Sequence, residues 1–244
     1  MADQYFAEEI TAVPFRTLRR TFRELMPGWL ATPLAAWMRF RGAIGWFPTA
    51  TYAIGPVGSY RAVDKNDLPP YAAARMAPLL EQLLDLGFKP LLFAIGDTIG
   101  SKESAAAILL DLDGSTFACI EWFRIVGADG VEDCAPLELD SYCGAGDEVL
   151  TATVPKEHLV MADAFAIQFV DQSYLPTPIA VRRVYEQHKS RIANRGAQVF
   201  TAETALAEHE AHSQRRFDWL QQRGMLRPLP ATAIPRIKQH KLPP

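Results

Sequence analysis

The side chains of this 244-residue chain that are best spaced for chemistry are histidines near its C-terminus. In the run EHEAH at residues 208–212, His209 and His212 would share one side of a helix. If the two C-terminal helices form a hairpin, a rise of about 1.5 Å per residue places His188 at nearly the height of His209. Two imidazoles and a carboxylate can bind Zn²⁺. The sequence therefore predicts a candidate metal site at His188, His209, His212 and Glu208.

Two other interpretations of these histidines stay open. They can be hydrogen-bonded residues in the core or at its boundary, or they can form a pH-sensitive contact at an interface. Only the metal interpretation would make the chain a metal-dependent or small-molecule enzyme. We take that enzyme as the alternative hypothesis, not the leading one.

Other motifs are incomplete. The loop GDTIGSK at residues 96–102 is one residue short of a phosphate-binding loop and has serine at the lysine position. The segment DLDG at 111–114 places its glycine too early for an EF-hand and is typical of a hairpin turn. No Gly-x-Ser-x-Gly motif is present, and three cysteines are too few for a disulfide framework. We predict no cofactor and no catalytic residue.

Charge is segregated along the chain. Residues 14–42 carry six arginines and one acid, residues 223–244 carry a net charge of +5, and residues 43–222 carry −10. In the first of these segments, Phe15, Leu18 and Phe22 follow helical spacing, and the arginines occupy the remaining faces. A second short helix is expected from Pro33.

Arginine combined with tryptophan and phenylalanine is typical of a helix that lies on an anionic membrane. The predicted contact residues are Phe15, Arg16, Leu18, Arg19, Arg20, Phe22, Arg23, Trp37, Arg39 and Arg41. Two alternatives are a protein partner and packing of the apolar stripe on the chain's own acidic domain. Nucleic acid is not expected, because a body with a charge of −10 repels phosphate.

These observations favour a non-catalytic binding or scaffolding protein whose N-terminal segment contacts a membrane surface or a protein. The N-terminus has the wrong charge for a secretory signal, and no apolar run approaches the ~20 residues of a membrane span. We therefore expect a cytoplasmic protein that is peripheral to the membrane where this segment binds.

Turn signals and periodicity predict an α+β fold. We expect a helix that begins near Pro70, an antiparallel meander of about five or six strands that includes a last strand at 164–170, and a C-terminal helical hairpin over 178–196 and 201–224. The predicted division is a cationic amphipathic extension (1–46), an α+β domain (47–222) and a proline-rich basic tail that is disordered (223–244).

Overall fold

The computed structural model describes residues 4–47, 50–127, 130–156 and 167–239. Its elements, in chain order, are β1 (Phe6–Glu8), α1 (Phe15–Leu25), α2 (Gly28–Ala43), β2 (Tyr52–Ile54), β3 (Arg61–Val63), α3 (Pro70–Asp85), β4 (Lys89–Ile95), β5 (Thr98–Gly100), β6 (Lys102–Leu110), β7 (Phe117–Gly127), β8 (Gly130–Cys134), β9 (Leu137–Tyr142), β10 (Glu148–Pro155), β11 (Val170–Thr177), α4 (Val181–Ile192), α5 (Ala202–Gln222), β12 (Leu226–Pro228) and α6 (Ile234–Ile237). The α+β class is confirmed.

The larger sheet has eight strands in the order β11-β10-β9-β7-β6-β4-β3, with β8 paired to β7. The hairpin of β6 and β7 is confirmed, and Gly114 in its turn has a φ of 75°, which favours glycine. The sheet is nevertheless larger than expected and is not a pure meander, because β11 runs parallel to β10. Parallel neighbours must be joined by a crossover connection, and the segment from Pro155 to Val170 is long enough to provide one. The predicted last strand at 164–170 lies largely outside the described residues.

The smaller sheet has four strands in the order β12-β1-β2-β5. Phe6 of β1 pairs with Pro228 of β12 and with Ile54 of β2, so both ends of the described chain join one sheet. The expectation that the C-terminal tail is disordered is therefore wrong for its strand and short helix. The C-terminal segment contributes a strand and a short helix to the fold, because backbone pairing with β1 satisfies its hydrogen bonds.

The larger sheet is covered on both faces. On the first face, α3 and α4 pack over a core that includes Leu83, Trp122, Leu139 and Val184. On the second face, α5 covers a smaller core of Ile108, Leu110, Phe117, Tyr142 and Ala205. The C-terminal helices therefore do not form the predicted hairpin. The link between them passes the end of β9, where Cys143 bridges Ala197, and it carries the chain from one face to the other.

The helices α1 and α2 form an antiparallel pair beside the smaller sheet. Val13, Leu18 and Ala35 are their buried core, and half-buried Phe22 and Met38 pack against it. The main contacts of α1 and α2 are with each other and with the turn Ile10–Ala12. The expectation that Pro33 begins a second short helix is wrong, because α2 begins at Gly28 and continues through Pro33.

Candidate functional site

One side of α2 presents bulky apolar residues to solvent. Trp29, Pro33, Trp37, Phe40 and Ile44 are spaced by four, four, three and four residues, which places them on one side of a helix. The exposed fraction is 76% for Trp29, 44% for Trp37, 52% for Phe40 and 55% for Ile44. We call this surface the aromatic face. Large contiguous apolar surfaces of this kind mark interaction sites in soluble proteins.

The inward side of α2 explains why the aromatic face points outward. Ala31 and Ala35 are fully buried, and their small side chains let α2 approach α1 closely. Near the end of α2, a Cβ on Gly42 would lie only 2.7 Å from Oγ1 of Thr11. Small residues therefore fix the packed side of α2, and the bulky residues are left on the other side. This is the reverse of the usual amphipathic arrangement, in which the large apolar residues pack inward.

The rings at the C-terminal end of α2 contact one another. The ring of Trp37 stacks on that of Phe40 at 5.8 Å and meets that of Trp46 edge-on at 5.7 Å. The guanidinium of Arg41 lies 4.7 Å from the centre of the Trp46 ring. Because Trp46 is also more than half exposed, it extends the aromatic face beyond the end of the helix.

Arginines on α1 border the aromatic face. Arg16, Arg19, Arg20 and Arg23 follow spacings of three, one and three residues and form one row along the helix, which we call the arginine row. Nε of Arg19 donates a hydrogen bond of 3.1 Å to Oγ1 of Thr32, which joins this row to α2. Among the described residues, Arg16, Arg19 and Arg23 form no ion pair, so these positive charges stand uncompensated beside apolar rings.

The predicted contact residues divide into two groups. Phe15 and Trp37 are exposed, as a contact surface requires, whereas Leu18 is fully buried and Phe22 is half-buried in the α1–α2 core. The expectation that Leu18 lies at the surface is wrong, because this residue holds the two helices together.

Two of the predicted arginines also have internal partners. Arg39 donates a 2.7 Å hydrogen bond to the carbonyl of Thr11, and Arg41 stacks on Trp46.

Sequence reasoning missed four exposed residues of this surface, Trp29, Phe40, Ile44 and Trp46. The helical spacing from residue 29 to residue 44 would have found the first three of them.

The structure does not bring the histidine site together. On the first face of the larger sheet, fully buried His188 has Nε2 2.9 Å from Oγ of Ser141 and Nδ1 3.0 Å from Oγ1 of Thr151. On the second face, Nδ1 of His209 lies 2.8 Å from the hydroxyl of Tyr142. Ser141 and Tyr142 are consecutive in β9, so their side chains point to opposite faces. The predicted proximity of His188 and His209 is therefore wrong.

The other two predicted ligands do not complete a site. His212 stacks on the Tyr142 ring at 3.6 Å, and Glu208 is exposed on α5. Across the described ranges, no group of three or more His, Cys, Asp and Glu side chains could hold a metal ion. Burial lowers the pKa of His209 and of His212, so both imidazoles are neutral at neutral pH.

The contact between Ser141 and His188 has the composition of a hydrolase pair, but its hydrogen bonds exclude that chemistry. The Ser141 hydroxyl donates to the carbonyl of Ser115 at 2.6 Å, so the proton on Nε2 of His188 must point to Ser141. Nδ1 then accepts from Thr151, where a catalytic triad has a carboxylate. Both Ser141 and His188 are fully buried, so this pair belongs to the core.

A buried ion cluster lies under α5 on the second face. The guanidinium of Arg216 pairs with Asp140 at 2.5 Å and with Glu148, and both carboxylates are about 1% exposed. Burial lowers the pKa of Arg216, but the negative charges of Asp140 and Glu138 are among the interactions that outweigh burial and raise it overall. The cluster fixes α5 on the sheet and leaves no charge open to a ligand.

Comparison with known proteins adds no family to this geometry. No helix in the described part of the chain is both long and apolar enough to cross a lipid bilayer. No family model matches the chain, and neither a curated protein nor a solved structure matches it.

Proposed function

We propose that this protein binds the surface of an anionic membrane through the aromatic face and the arginine row. The observation that carries the proposal is the exposed series Trp29, Trp37, Phe40 and Ile44 beside the positive charges of the arginine row. The α1–α2 pair would lie parallel to the membrane, with the rings among the lipid headgroups and the sheets above them.

The aromatic face supplies the apolar part of binding. Tryptophan is enriched at the headgroup level of membranes, because its ring is apolar and its N–H can reach a polar group. Three exposed tryptophans, Trp29, Trp37 and Trp46, lie on this one surface. In water their exposure is unfavourable, and insertion into the interface would remove much of that cost.

The arginine row supplies the electrostatic part of binding. An arginine near an anionic leaflet contributes about 1 kcal/mol, so Arg16, Arg19 and Arg23 together contribute about 3 kcal/mol. This attraction is screened within about 10 Å at 0.1 M salt, so binding should weaken as salt rises.

Charge complementarity favours a lipid surface over the other partners. Within residues 14–42, Glu24 is the only acid, whereas residues 43–222 carry −10. This separation orients the chain with its positive end toward a negative plane. A nucleic acid does not match a row of apolar rings, and the negative charge of residues 43–222 would repel its phosphates.

Vesicle co-sedimentation tests the proposal. Wild-type protein should sediment with vesicles that contain phosphatidylglycerol, and much less with pure phosphatidylcholine. The variant Trp29→Ser/Trp37→Ser/Phe40→Ser should lose binding to both. A matched control is Leu112→Ser/Val199→Ser, which removes exposed apolar side chains elsewhere on the molecule. This control should bind like the wild type.

Charge is tested separately. Arg16→Gln/Arg23→Gln should weaken binding to anionic vesicles by about tenfold or more. The control Arg182→Gln/Arg183→Gln, which removes two exposed arginines of α4, should leave it unchanged. Equal sedimentation of the wild type and the aromatic variant would contradict the proposal. So would a stable dimer that buries the aromatic face and does not bind vesicles.

A further inference from the structure

A cleft lies between the two sheets, and its lining residues are distinct from those of the arginine row and the aromatic face. It encloses about 530 Å³, within the range of small-molecule sites. The smaller sheet lines one wall with Glu8 and Tyr52, and the second face of the larger sheet lines the other with Ser104, Glu121 and Phe123. Ser104 and Phe123 are paired across β6 and β7, which places their side chains next to each other in the cleft.

Negative charge dominates the lining. Glu8, Asp97, Glu121 and Glu132 line the cleft, with Lys102 as the cation. Glu8 accepts a 2.7 Å hydrogen bond from Tyr52, whereas Glu121 has no hydrogen-bond or ion-pair partner among the described residues. Beside Glu121 on the sheet is Glu138, in which burial and then the charge of Asp140 raise the carboxyl pKa to about 7. The second face of the sheet is therefore already crowded with negative charge at this end of the cleft.

The cleft already holds one ammonium group of the chain itself, that of Lys102. Nζ of Lys102 lies 5.5 Å from the centre of the Tyr52 ring and 5.4 Å from that of Phe123. Rings at this distance attract cations through their negative faces. The walls of the cleft therefore combine aromatic faces with carboxylates, which is the chemistry that recognises alkylammonium groups.

One hydroxyl of the lining is also available to a ligand. Ser104 lines the cleft with only 9% of its surface exposed, and its hydroxyl has no hydrogen-bond partner among the described residues. A Cβ on neighbouring Gly96 would collide with this hydroxyl, so glycine there leaves it room. Because this oxygen opens onto the cleft, it can accept a hydrogen bond from an N–H group of a ligand.

The positions of the carboxylates indicate which kind of cation fits the cleft. They are spread over both walls and do not converge, and the described residues contain no group of three that could hold a metal ion. Charges that are several bonds apart along a flexible chain match this distribution, whereas a single metal ion does not. We propose that the cleft binds an aliphatic di- or polyamine, with Glu121 and Glu8 pairing its ammonium groups from opposite walls and Ser104 accepting one N–H.

Isothermal titration calorimetry with spermidine and putrescine tests this site. Wild-type protein should bind both amines, and spermidine more tightly because it has one more charge. The neutral analogue 1,4-butanediol should give no binding. Glu121→Gln should weaken spermidine binding by about tenfold or more, since it removes the carboxylate that has no other partner. Ser104→Ala should weaken it by a few-fold.

A matched control removes one exposed carboxylate from α4. Glu186→Gln changes the net charge by the same amount and should leave spermidine affinity within about twofold of the wild type. Circular dichroism of each variant establishes that it is folded. Spermidine affinity unchanged in Glu121→Gln would overturn the proposal, as would butanediol binding or displacement of spermidine by equimolar Mg²⁺. Because the aromatic face is not part of the cleft, vesicle binding and amine binding can each fail alone.

Discussion

In the α1–α2 pair, bulky apolar side chains face outward, whereas in the body of the chain charged side chains lie buried beneath α5. Both arrangements depart from the usual partition of side chains between surface and core. In the buried ion cluster each charge faces an opposite charge, because Arg216 pairs with both Asp140 and Glu148. The aromatic face has no such compensation within the described residues. The comparison teaches that an unusual residue indicates function only where the molecule itself leaves it without a partner.

The largest expected effect is on the buried ion cluster. Arg216→Met should lower the free energy of unfolding by about 3–5 kcal/mol, because it leaves Asp140 and Glu148 buried without a counter-ion. Urea denaturation followed by circular dichroism measures this change. The control Arg182→Met removes an exposed arginine and should stay within about 0.5 kcal/mol of the wild type. A loss below about 1 kcal/mol for Arg216→Met would show that the cluster is not an essential part of the core.

The next effect is a pH dependence that comes from His188. Burial, opposed by the charge of Asp140, lowers the pKa of His188 from 6.5 to about 4. In the unfolded chain the imidazole therefore binds a proton more readily than in the folded chain. The titration of His188 leaves the free energy of unfolding unchanged above pH 6.5. As pH decreases from 6.5 toward 4, it lowers the free energy of unfolding by a total of about 3 kcal/mol.

Replacement of this histidine isolates its contribution. His188→Gln should be less stable than the wild type at pH 7 and should show a shallower loss of stability between pH 6.5 and pH 4. The difference between the two urea-denaturation series is the measurement. Parallel curves for the two proteins would show that His188 is not held neutral by its surroundings.

The smallest expected effect belongs to the aromatic face. Trp29→Ser should change the free energy of unfolding by less than about 0.5 kcal/mol, because the ring is 76% exposed. Leu18→Ala, in the core of the same helical pair, should cost about 2–5 kcal/mol. Thermal and urea unfolding of both variants check this contrast. If Trp29→Ser destabilised the chain as much as Leu18→Ala, the ring would be a packing residue and not a contact residue.

Local patterns predicted much of the secondary structure. Helix α3 begins at Pro70, as its flanking prolines indicate, and Gly87 follows its end with a φ of 90°. The β6–β7 hairpin and the strands β9 and β10 lie where alternation and glycine turns place them. These features depend on residues close in sequence, so the sequence contains the information directly.

The candidate surface was predicted only in part. The concentration of arginine and aromatic residues in 14–46 is a property of composition, and the aromatic face lies within this segment. Which side of α2 faces outward depends on Ala31, Ala35 and Gly42, whose small side chains form its packed side. Hydrophobic periodicity assumes that the large residues are packed, and here that assumption fails.

The sequence by itself determined the segregated charge, the α+β class and most helix and strand positions, because each follows from the order of neighbouring residues. Only the tertiary structure decided that α4 and α5 lie on opposite faces of the larger sheet, that His188 and His209 are separated by it, and that Glu8 and Glu121 line one cleft. The physical reason is that these relations join residues far apart in the chain. They arise when the sheets close and the burial of apolar surface selects one packing among many.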